Sequence, residues 1–256
     1  MKLATWNVNS IRARLPHVLD WLDRQRPDVA CLQETKVPDE EFPKLELQAA
    51  GYVVLHAGQK GYNGVATLVR HSATEVLTEA PGLDSGQKRF LAATIAGVRV
   101  LNVYVPNGER VGSPKYAYKL EWLEALRAWL AGELARHERL VIVGDFNIAP
   151  EDRDVYEPKL WRNQVLFSEP ERDALRSLVG LGLVDLFRRF TSEAGHYTWW
   201  DYRAGAFRRN QGLRIDHILA SPALAARAKA CFIDREPRGR ERPSDHAPVV
   251  ADLDTD

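Results

Sequence analysis

The chain contains 256 residues, of which 45% are hydrophobic and 27% charged, and its formal net charge at pH 7 is +0. These values are ordinary for a soluble globular protein with a substantial core. The balanced charge gives no support to a nucleic-acid partner, which would therefore need a local cluster of basic residues. Because no low-complexity tract, tandem repeat or linker interrupts the sequence, we expect residues 1–256 to form one domain.

The cysteines and the lengths of the apolar segments indicate the cellular compartment in which we expect the protein. Cys31 and Cys231 lie far apart in apolar surroundings, which fits buried thiols in a reducing cytosol and not a disulfide framework or a metal site. The start, MKLATWNVNS, turns polar after five residues, unlike a signal peptide. No apolar run approaches the roughly 20 residues needed to cross a bilayer. The sequence thus predicts a soluble, cytoplasmic protein.

Apolar runs and helical spacing define the predicted elements in chain order. Runs rich in β-branched residues predict strands at Lys2–Trp6, Asp28–Leu32, Val53–His56, Val65–Val69, Arg99–Val105, Leu140–Val143 and Leu213–Leu219. Apolar residues at helical spacing predict helices through Leu15–Leu22, from Ser113–Pro114 through Leu134, over Glu171–Leu181 and in SPALAARAKA, residues 221–230. Several of the strands are apolar nearly throughout, as strands covered on both faces are. We therefore expect mixed sheets with helices outside them.

Polar residues follow almost every predicted strand. The apolar run VIVG leads into Asp145 and Asn147, although burying a carboxylate without a partner costs several kcal/mol or neutralises it. Asp216 lies within another apolar run and also needs a partner, for which His217 and His246 are the nearby candidates. Further polar residues at predicted strand ends are Asn7, Asn9, Gln33, Glu34, Tyr104, Asn107, Asp245 and His246.

Each of these residues has an ordinary explanation when taken alone. Asn and Asp are common turn formers, a Tyr near a strand end is usually a half-buried packing residue, and an isolated His is more often a hydrogen-bonded turn residue. The joint pattern favours chemistry. Carboxylates and amides without cysteine suit a hard cation such as Mg²⁺. A His oriented by an Asp, and an Asp that activates a water, would complete the groups needed for metal-assisted hydrolysis of a phosphate ester.

Seven motifs resemble, in order and spacing, the exonuclease III family of the endonuclease/exonuclease/phosphatase superfamily. They are TWNVNSIRAR, DVACLQETK, GQKGYNGVA, VYVPNG, GDFNIAP, GLRIDHILAS and PSDHAPV, and the match runs from Lys2 to about Val250. The resemblance implies an α/β fold, a four-layer α/β/β/α sandwich of two mixed sheets flanked by helices (DNase I-like). It also implies a Mg²⁺-dependent enzyme, with Mn²⁺ as an alternative ion, acting on DNA phosphodiesters.

The resemblance implies a role for individual residues. Glu34 matches the principal metal ligand, with Asn7 and Asp245 completing the metal surroundings. The residues implied in catalysis are Asp145 as activator of the attacking water, Asn147 as its partner in holding the phosphate, His246 as a phosphate contact, Asp216 as the acid that orients it, and Tyr104 as the tyrosine that reaches the scissile phosphate.

A local basic segment supplies the DNA-binding feature that the total charge lacks. Residues 188–214 carry six arginines against only Glu193 and Asp201. The substrate-binding residues predicted there are Trp199, Trp200, Arg203 and Arg214. The tryptophans would pack against an extruded sugar or base, and the alternative is an aromatic mini-core beneath a solvated basic loop. In the predicted hairpin of residues 56–64, Lys60 and Tyr62 would contact backbone phosphates.

The leading prediction is an enzyme that trims 3′ ends of duplex DNA and incises 5′ to abasic sites. Its expected partner is duplex DNA with abasic sites, nicks or blocked 3′ ends, and we expect a monomer without membrane contacts. Some relatives are limited to blocked 3′ ends, and a bulky Trp161 or Phe167 in the divergent segment of residues 160–175 would favour that narrower activity. A phosphatase of inositol phosphates or a sphingomyelinase is disfavoured by GQKGYNGVA and TWWDYR, and a catalytically silent regulator by the complete residue set.

Overall fold

The computed structural model describes residues 1–83 and 86–255, in which two six-stranded sheets stack face to face between outer helices. The strands are β1 (Lys2–Asn7), β2 (Val29–Gln33), β3 (Val53–Ala57), β4 (Val65–Val69), β5 (Ala73–Leu77), β6 (Phe90–Ile95), β7 (Val98–Tyr104), β8 (Leu140–Asp145), β9 (Val184–Asp185), β10 (Asp216–Ala220), β11 (Ala228–Ile233) and β12 (Val249–Leu253). The helices are α1 (Ile11–Gln25), α2 (Lys44–Ala49), α3 (Pro114–Arg136), α4 (Pro158–Trp161), α5 (Glu169–Val179), α6 (Leu186–Phe190) and α7 (Pro222–Ala225).

Both sheets are mixed. The first has the order β11-β12-β1-β2-β4-β3, and the second has the order β5-β6-β7-β8-β10-β9. Within each sheet one central pair is parallel, β1 with β2 and β7 with β8, and the other pairs are antiparallel. The predicted fold class, two mixed sheets with helices outside, is confirmed.

Three apolar layers hold the sandwich together. Between the sheets, buried side chains such as Leu3 and Val143 form one cluster. Outside the first sheet, Trp21 of α1 packs on Trp6 with ring centroids 5.6 Å apart. Outside the second sheet, α3 buries Leu126 and its apolar neighbours. Burial of about 25 cal/mol per Å² of apolar surface makes these layers the main source of stability.

Three of the predicted helices are confirmed with small shifts, and the one through Leu15–Leu22 lies within α1, Ile11–Gln25. Helix α3 begins at Pro114, as predicted, and the side chain of its N-cap Ser113 accepts a hydrogen bond from the backbone of Tyr116. Helix α5 begins at Glu169, where Ser168 and Glu171 form a capping box. None of the described helices combines the length and the apolar character needed to cross a membrane.

The predicted helix over residues 221–230 is wrong beyond its first turn. Helix α7 ends at Ala225, and the chain from Ala228 onward is strand β11, paired antiparallel with β12. Alanine has a high helix propensity, but that preference amounts to less than 1 kcal/mol per residue and tertiary pairing overrides it. Strands β5, β6 and β9 and the short helices α2, α4 and α6 were also not predicted.

Strand register gathers the predicted site residues at one end of the sandwich. Tyr104 pairs with Asp145 across the parallel strands β7 and β8, and Asp145 pairs with Asp216 across the antiparallel strands β8 and β10. In the other sheet Asn7 pairs with Gln33, which directly precedes Glu34. Because both parallel pairs end on the same side, the polar residues that follow them converge.

Gly144 makes the close approach of β8 to its neighbour feasible. Its φ is +149°, and a Cβ placed there would lie 1.9 Å from the carbonyl oxygen of Val103. Any larger residue would push β8 away from β7 immediately before Asp145. Glycine is therefore required by sterics at the strand end that presents the acid.

We predict that Gly144→Ala lowers the free energy of unfolding by roughly 1–3 kcal/mol or more, because the added methyl group overpacks rigid backbone. Urea denaturation followed by circular dichroism measures this change. The matched control is Gly132→Ala at an exposed position near the C-terminal end of α3, where a Cβ would meet nothing within 4 Å. That control should gain up to about 1 kcal/mol. Equal stability of the two variants would contradict the steric account.

Candidate active site

Two carboxylates meet where the two sheets end. The buried amide of Asn7 bridges them, donating from Nδ2 to Glu34 Oε1 at 2.8 Å and to Asp145 Oδ2 at 2.9 Å. Its Oδ1 accepts a hydrogen bond from the backbone of Asn9 at 2.9 Å. Asn7 was predicted to complete the surroundings of a metal, but in this orientation it presents donors to the carboxylates. It positions the two acids and offers no oxygen towards them.

The turn after β8 holds Asp145 from the other side. Asp145 Oδ1 accepts a hydrogen bond from the backbone N–H of Asn147 at 2.9 Å. Asn147 has a φ of +52°, a left-handed conformation that asparagine tolerates better than most residues. Its Nδ2 donates to the carbonyl of Val105 at 3.0 Å, and its Oδ1 accepts from Asn107 at 3.2 Å. The predicted pairing of Asp145 with Asn147 in one site is therefore present in the geometry.

His246 is the partner that Asp216 requires. Its Nδ1 lies 2.9 Å from Asp216 Oδ2, and its Nε2 lies 3.8 Å from Asp145 Oδ2. Burial alone would lower the pKa of His246, but the charges of Asp216 and Asp145 outweigh it and raise that pKa to about 10. His246 is therefore a buried imidazolium that faces the centre of the site.

The other candidate partner of Asp216, His217, points elsewhere. Its Nδ1 lies 3.1 Å from a guanidinium nitrogen of Arg214, and its Nε2 lies 2.8 Å from the carbonyl oxygen of Ile148. Because Arg214 can only donate, His217 accepts at Nδ1 and donates from Nε2, as a neutral imidazole does. Burial and the charge of Arg214 lower the pKa of His217, in agreement with that state.

The donor set fits a hard divalent cation. Ligand atoms of Glu34, Asp145 and His246 lie within 4.8 Å of one another. Burial, opposed by His246 and reinforced by Asp216, raises the pKa of Asp145 to about 7, so the surrounding positive charge stabilises this carboxylate only in part. Protonated His246 cannot ligate a metal, which leaves the carboxylate oxygens of Glu34 and Asp145 as the residues that would hold one.

Tyr104 lies beside these acids as a neutral hydroxyl. It is 9% exposed, and burial together with the charges of Glu34 and Asp145 raises its pKa well above the usual value. The guanidinium of Arg89 stacks over its ring at 4.7 Å. A groove of about 570 Å³ continues from Glu34 and Tyr104, and the basic and aromatic side chains that line it include Lys36, Tyr62, Arg89 and Lys115.

Three of the predicted DNA-binding residues are accessible. The predicted hairpin is confirmed, since β3 and β4 pair antiparallel on either side of the loop that carries Lys60 and Tyr62. Lys60 is exposed, and Tyr62 is 74% exposed at the rim of the groove. Arg203 is also exposed and forms a 2.7 Å ion pair with Asp201, two residues away. Their roles in DNA binding stay predictions.

Two of the predicted DNA contacts are wrong, because Arg214 and Trp200 lie in the interior. Arg214 is 1% exposed, and its guanidinium pairs with Asp154 at 2.6 Å and with Asp185 at 2.8 Å. Trp200 is 0% exposed and packs edge-on against Phe207 at 5.0 Å. The aromatic mini-core that the sequence left open as an alternative is the arrangement observed. The acids that neutralise Arg214 lie outside the basic segment, so its local charge count missed them.

Asp245 and Trp199 form a connected pair at the edge of the site. Trp199 donates from Nε1 to Asp245 Oδ2 at 3.0 Å, and Asn9 donates to Asp245 Oδ1 at 3.0 Å. Both oxygens of Asp245 thus have protein donors, and this acid is not among the three described residues whose ligand atoms converge. Its part in the metal surroundings stays a prediction. The indole of Trp161 lies edge-on against Trp199, with centroids 6.4 Å apart and planes at 90°.

Lys36 is a site residue that sequence reasoning did not single out. Its Nζ lies 2.9 Å from Glu34 Oε2 and 2.5 Å from Asn9 Oδ1. Although burial acts to raise it, Lys36 and the hydrogen bond from Asn7 hold the pKa of Glu34 below its usual value. The only signal available was the position of Lys36 two residues after Glu34, and short sequence separation does not reveal a left-handed turn at both residues.

Comparisons with known proteins agree with this geometry. The sequence matches the Endonuclease/Exonuclease/phosphatase family over residues 4–246. It is 37% identical over 267 residues to exodeoxyribonuclease III of Haemophilus influenzae, covering 99% of this chain and 100% of that protein. The chain belongs to the endonuclease/exonuclease/phosphatase family.

Solved structures give the same assignment. The 3′ phosphatase NExo from Neisseria, bound to a product DNA hairpin, has a TM-score of 0.98 and 48% identity, with 99% of both chains covered. An AP endonuclease from Archaeoglobus fulgidus has a TM-score of 0.95 and 44% identity, again with 99% of both chains covered. The protein is a nuclease of the endonuclease/exonuclease/phosphatase family, that is, a phosphodiester hydrolase. The family is metal-dependent, in accord with the acids that converge here.

We predict that Glu34→Gln weakens divalent-cation binding at least about tenfold, because the site loses a formal charge and an oxygen ligand. Isothermal titration calorimetry with Mg²⁺ and with Mn²⁺ measures the change. Glu46→Gln, at an exposed position of α2, is the matched control and should bind as the unmodified chain does. Unchanged binding in Glu34→Gln would contradict the assignment of Glu34 as a ligand.

Proposed function

We propose that the chain is a Mg²⁺-dependent enzyme of the exonuclease III type. It removes nucleotides or blocking groups from the 3′ ends of duplex DNA and incises the backbone 5′ to abasic sites, leaving a 3′-hydroxyl. The observation that carries the proposal is the pair of His246 and Asp216 facing Asp145, with Glu34 bridged to the same centre by Asn7.

Each of these residues has a separate role in phosphate-ester hydrolysis. Imidazolium His246 donates a hydrogen bond to a phosphoryl oxygen and stabilises the negative charge that develops there. Asp145, with a pKa near neutrality, accepts a proton from the attacking water. The hydroxyl of Tyr104 stays protonated and donates to the same phosphate. A divalent cation at Glu34 and Asp145 would supply further charge neutralisation.

Asn147 retains a donor for the phosphate. An amide nitrogen carries two N–H bonds, and in Asn147 one of them goes to the carbonyl of Val105. The second N–H bond remains for the phosphate. Its direction is fixed because Asn107 donates a hydrogen bond to the oxygen of the same amide. A preorganised donor of this kind needs no rearrangement as the reaction proceeds, which is the main source of electrostatic catalysis.

DNA is the substrate that the surroundings of the site favour. The groove beside Glu34 and Tyr104 is lined by Lys36, Arg89 and Lys115, which suit backbone phosphates. Relatives named for DNA substrates support this choice, as does the 3′ phosphatase from Neisseria that is bound to a DNA hairpin. Local positive charge in the groove would bind DNA although the total charge is balanced.

The test is a gel assay with Mg²⁺ on two labelled duplexes, one with an internal abasic-site analogue and one with a 3′-phosphate at a nick. We expect cleavage of both and loss of cleavage with EDTA. Asp145→Asn should reduce kcat at least about a thousandfold while leaving DNA binding within a few fold, since the water loses its base but the other phosphate contacts persist. Asp23→Asn, on the exposed side of α1, is the control. Near-normal cleavage by Asp145→Asn, or activity resistant to EDTA, would contradict the mechanism.

A narrower function, 3′-phosphatase and 3′-exonuclease with little abasic-site incision, is the second candidate. One contact favours it: Trp161 lies against Trp199, the half-buried member of the tryptophan pair expected to hold an extruded sugar. Phe167, the other bulky residue suggested by the sequence, is 2% exposed and therefore unavailable to DNA. The 48% identity to a 3′ phosphatase points the same way.

If Trp161 restricts the pocket, Trp161→Ala should raise the rate of abasic-site incision about tenfold or more relative to release of 3′-phosphate. The reason is that removing the indole opens space beside Trp199 without touching Asp145 or His246. The ratio of the two rates on the same enzyme preparation is the measurement, which cancels differences in active fraction. Leu160→Ala, in the same short helix and 64% exposed, is the control. An unchanged ratio would remove Trp161 from the account of specificity.

A further inference from the structure

Lys119 is a fully buried ammonium group that none of the steps above uses. It lies near the start of α3, and its side chain is 0% exposed. Nζ donates to the carbonyl oxygen of Asn107 at 3.0 Å, to the carbonyl oxygen of Asn147 at 2.7 Å and to Glu171 Oε1 at 2.5 Å. Three donors and three acceptors match, so the charge is buried with all of its hydrogen bonds made.

Two of those acceptors belong to the turns that build the active site. Asn107 follows β7 and Asn147 follows β8, and the side chains of the two residues hydrogen-bond to each other. The backbone of Asn147 is thus fixed on both sides of its Cα, since its N–H donates to Asp145 Oδ1 and its carbonyl oxygen accepts from Lys119. Loss of the ammonium group would leave two buried carbonyl groups without that donor.

The stem of Lys119 supports the same turn. Gly108 has a φ of +93°, and a Cβ built on it would lie 3.1 Å from Lys119 Cδ and 3.3 Å from Val165. The turn after Asn107 therefore packs directly on the methylene groups below the ammonium. Both parts of one side chain, apolar and charged, hold this turn in place.

Glu171 supplies the compensating charge and links the site to the divergent segment. Besides Lys119, its carboxylate accepts hydrogen bonds from the backbone of Leu166 at 3.0 Å and from Ser168, through the backbone at 3.1 Å and the hydroxyl at 2.5 Å. A buried pair of this kind adds little net stability compared with apolar residues of the same volume. Its location between the catalytic turns and residues 160–168 therefore calls for a further explanation.

We propose that Lys119 is a positioning residue for hydrolysis, fixing the carbonyl groups of Asn107 and Asn147 and through them the orientation of Asn147 and Asp145. This inference rests on the roles assigned to those two residues under the proposed function. Lys119 does not touch the substrate. Displacement of reacting groups by about 1 Å can reduce a rate on the order of a hundredfold, so a group that fixes this turn affects kcat more than substrate binding.

The test removes both charges together, with Lys119→Met and Glu171→Gln in one chain, so that neither is left unpaired in the interior. The matched control is Arg99→Met with Glu133→Gln, a second buried pair with a 2.7 Å contact whose acid lies in the last turn of the same helix. Arg99 pairs with Leu140 at the start of β8, and Tyr104 pairs with Asp145 at its end. Five residues of strand, at about 3.3 Å each, separate the control pair from the site.

The readouts are kcat, KM and the melting temperature, measured with saturating Mg²⁺ well below the melting temperature of either variant. We expect a 10- to 100-fold lower kcat for the Lys119 double variant with KM within about threefold, and a kcat close to wild type for the control at a similar loss of melting temperature. Equal kcat in the two double variants would overturn the proposal.

A second variant keeps the Lys119 ammonium group and separates the carbonyl contacts from the charge pair. Glu171→Gln alone retains the N–H donors of Lys119 to both carbonyl groups, so its kcat should stay within about threefold of wild type. If Glu171→Gln instead lowers kcat as much as is expected for the double variant, the effect comes from the charge pair. That result would overturn the role of the carbonyl contacts. All comparisons use whichever of the two duplexes the wild-type chain cleaves. If the wild-type chain cleaves neither, the proposed substrate is wrong, and this result is distinct from any effect of the variants.

Discussion

The buried carboxylate of Asp145 is the constraint on which the rest of the site depends. It ends a strand whose residues are all buried, where an unpaired negative charge would cost several kcal/mol. Asn7, the backbone of Asn147 and the imidazolium of His246 surround it, yet its pKa stays raised to about 7. The protein thus stabilises the acid only in part, which leaves it ready to bind a cation or to accept a proton.

Backbone strain accompanies this arrangement. Asn9, Glu34, Lys36 and Asn147 all have positive φ, a conformation that is uncommon outside glycine and concentrates at functional sites. Each of these turns is held by contacts beyond its own peptide, as when Lys36 bridges Glu34 and Asn9. The strand ends would not adopt these turns from local preference. The surrounding sandwich fixes them before any substrate binds, which is the condition for electrostatic preorganisation.

The sequence predicts the architecture and the polar residues at the strand ends well, for identifiable physical reasons. A buried strand leaves a continuous apolar run, so β8 and the acid at its end could be recognised from VIVGD alone. Arg214 and Trp200 could not be placed in the same way, because their partners lie elsewhere in the chain. The local sequence of a basic, aromatic segment is the same whether its side chains contact DNA or are paired inside the protein. Arg214 is paired, with Asp154 some 60 residues away. Composition reports which groups are present, and only tertiary pairing decides which of them reach solvent.

Two buried networks of charged and polar side chains flank the turn after β8. Each of them donates a hydrogen bond to a carbonyl oxygen of that turn. On one side neutral His217 donates to the carbonyl oxygen of Ile148 while Arg214 occupies its other nitrogen. On the other side Lys119 donates to the carbonyl oxygen of Asn147. Successive peptides of the turn are therefore held by side chains from β10 and α3 that never reach the crevice. A cationic or polar donor is needed at each carbonyl because a turn that leaves a sheet has lost its ladder partners. Substitutions in the surface around the site can then change its substrate preference while the turn that carries Asp145 and Asn147 keeps its geometry.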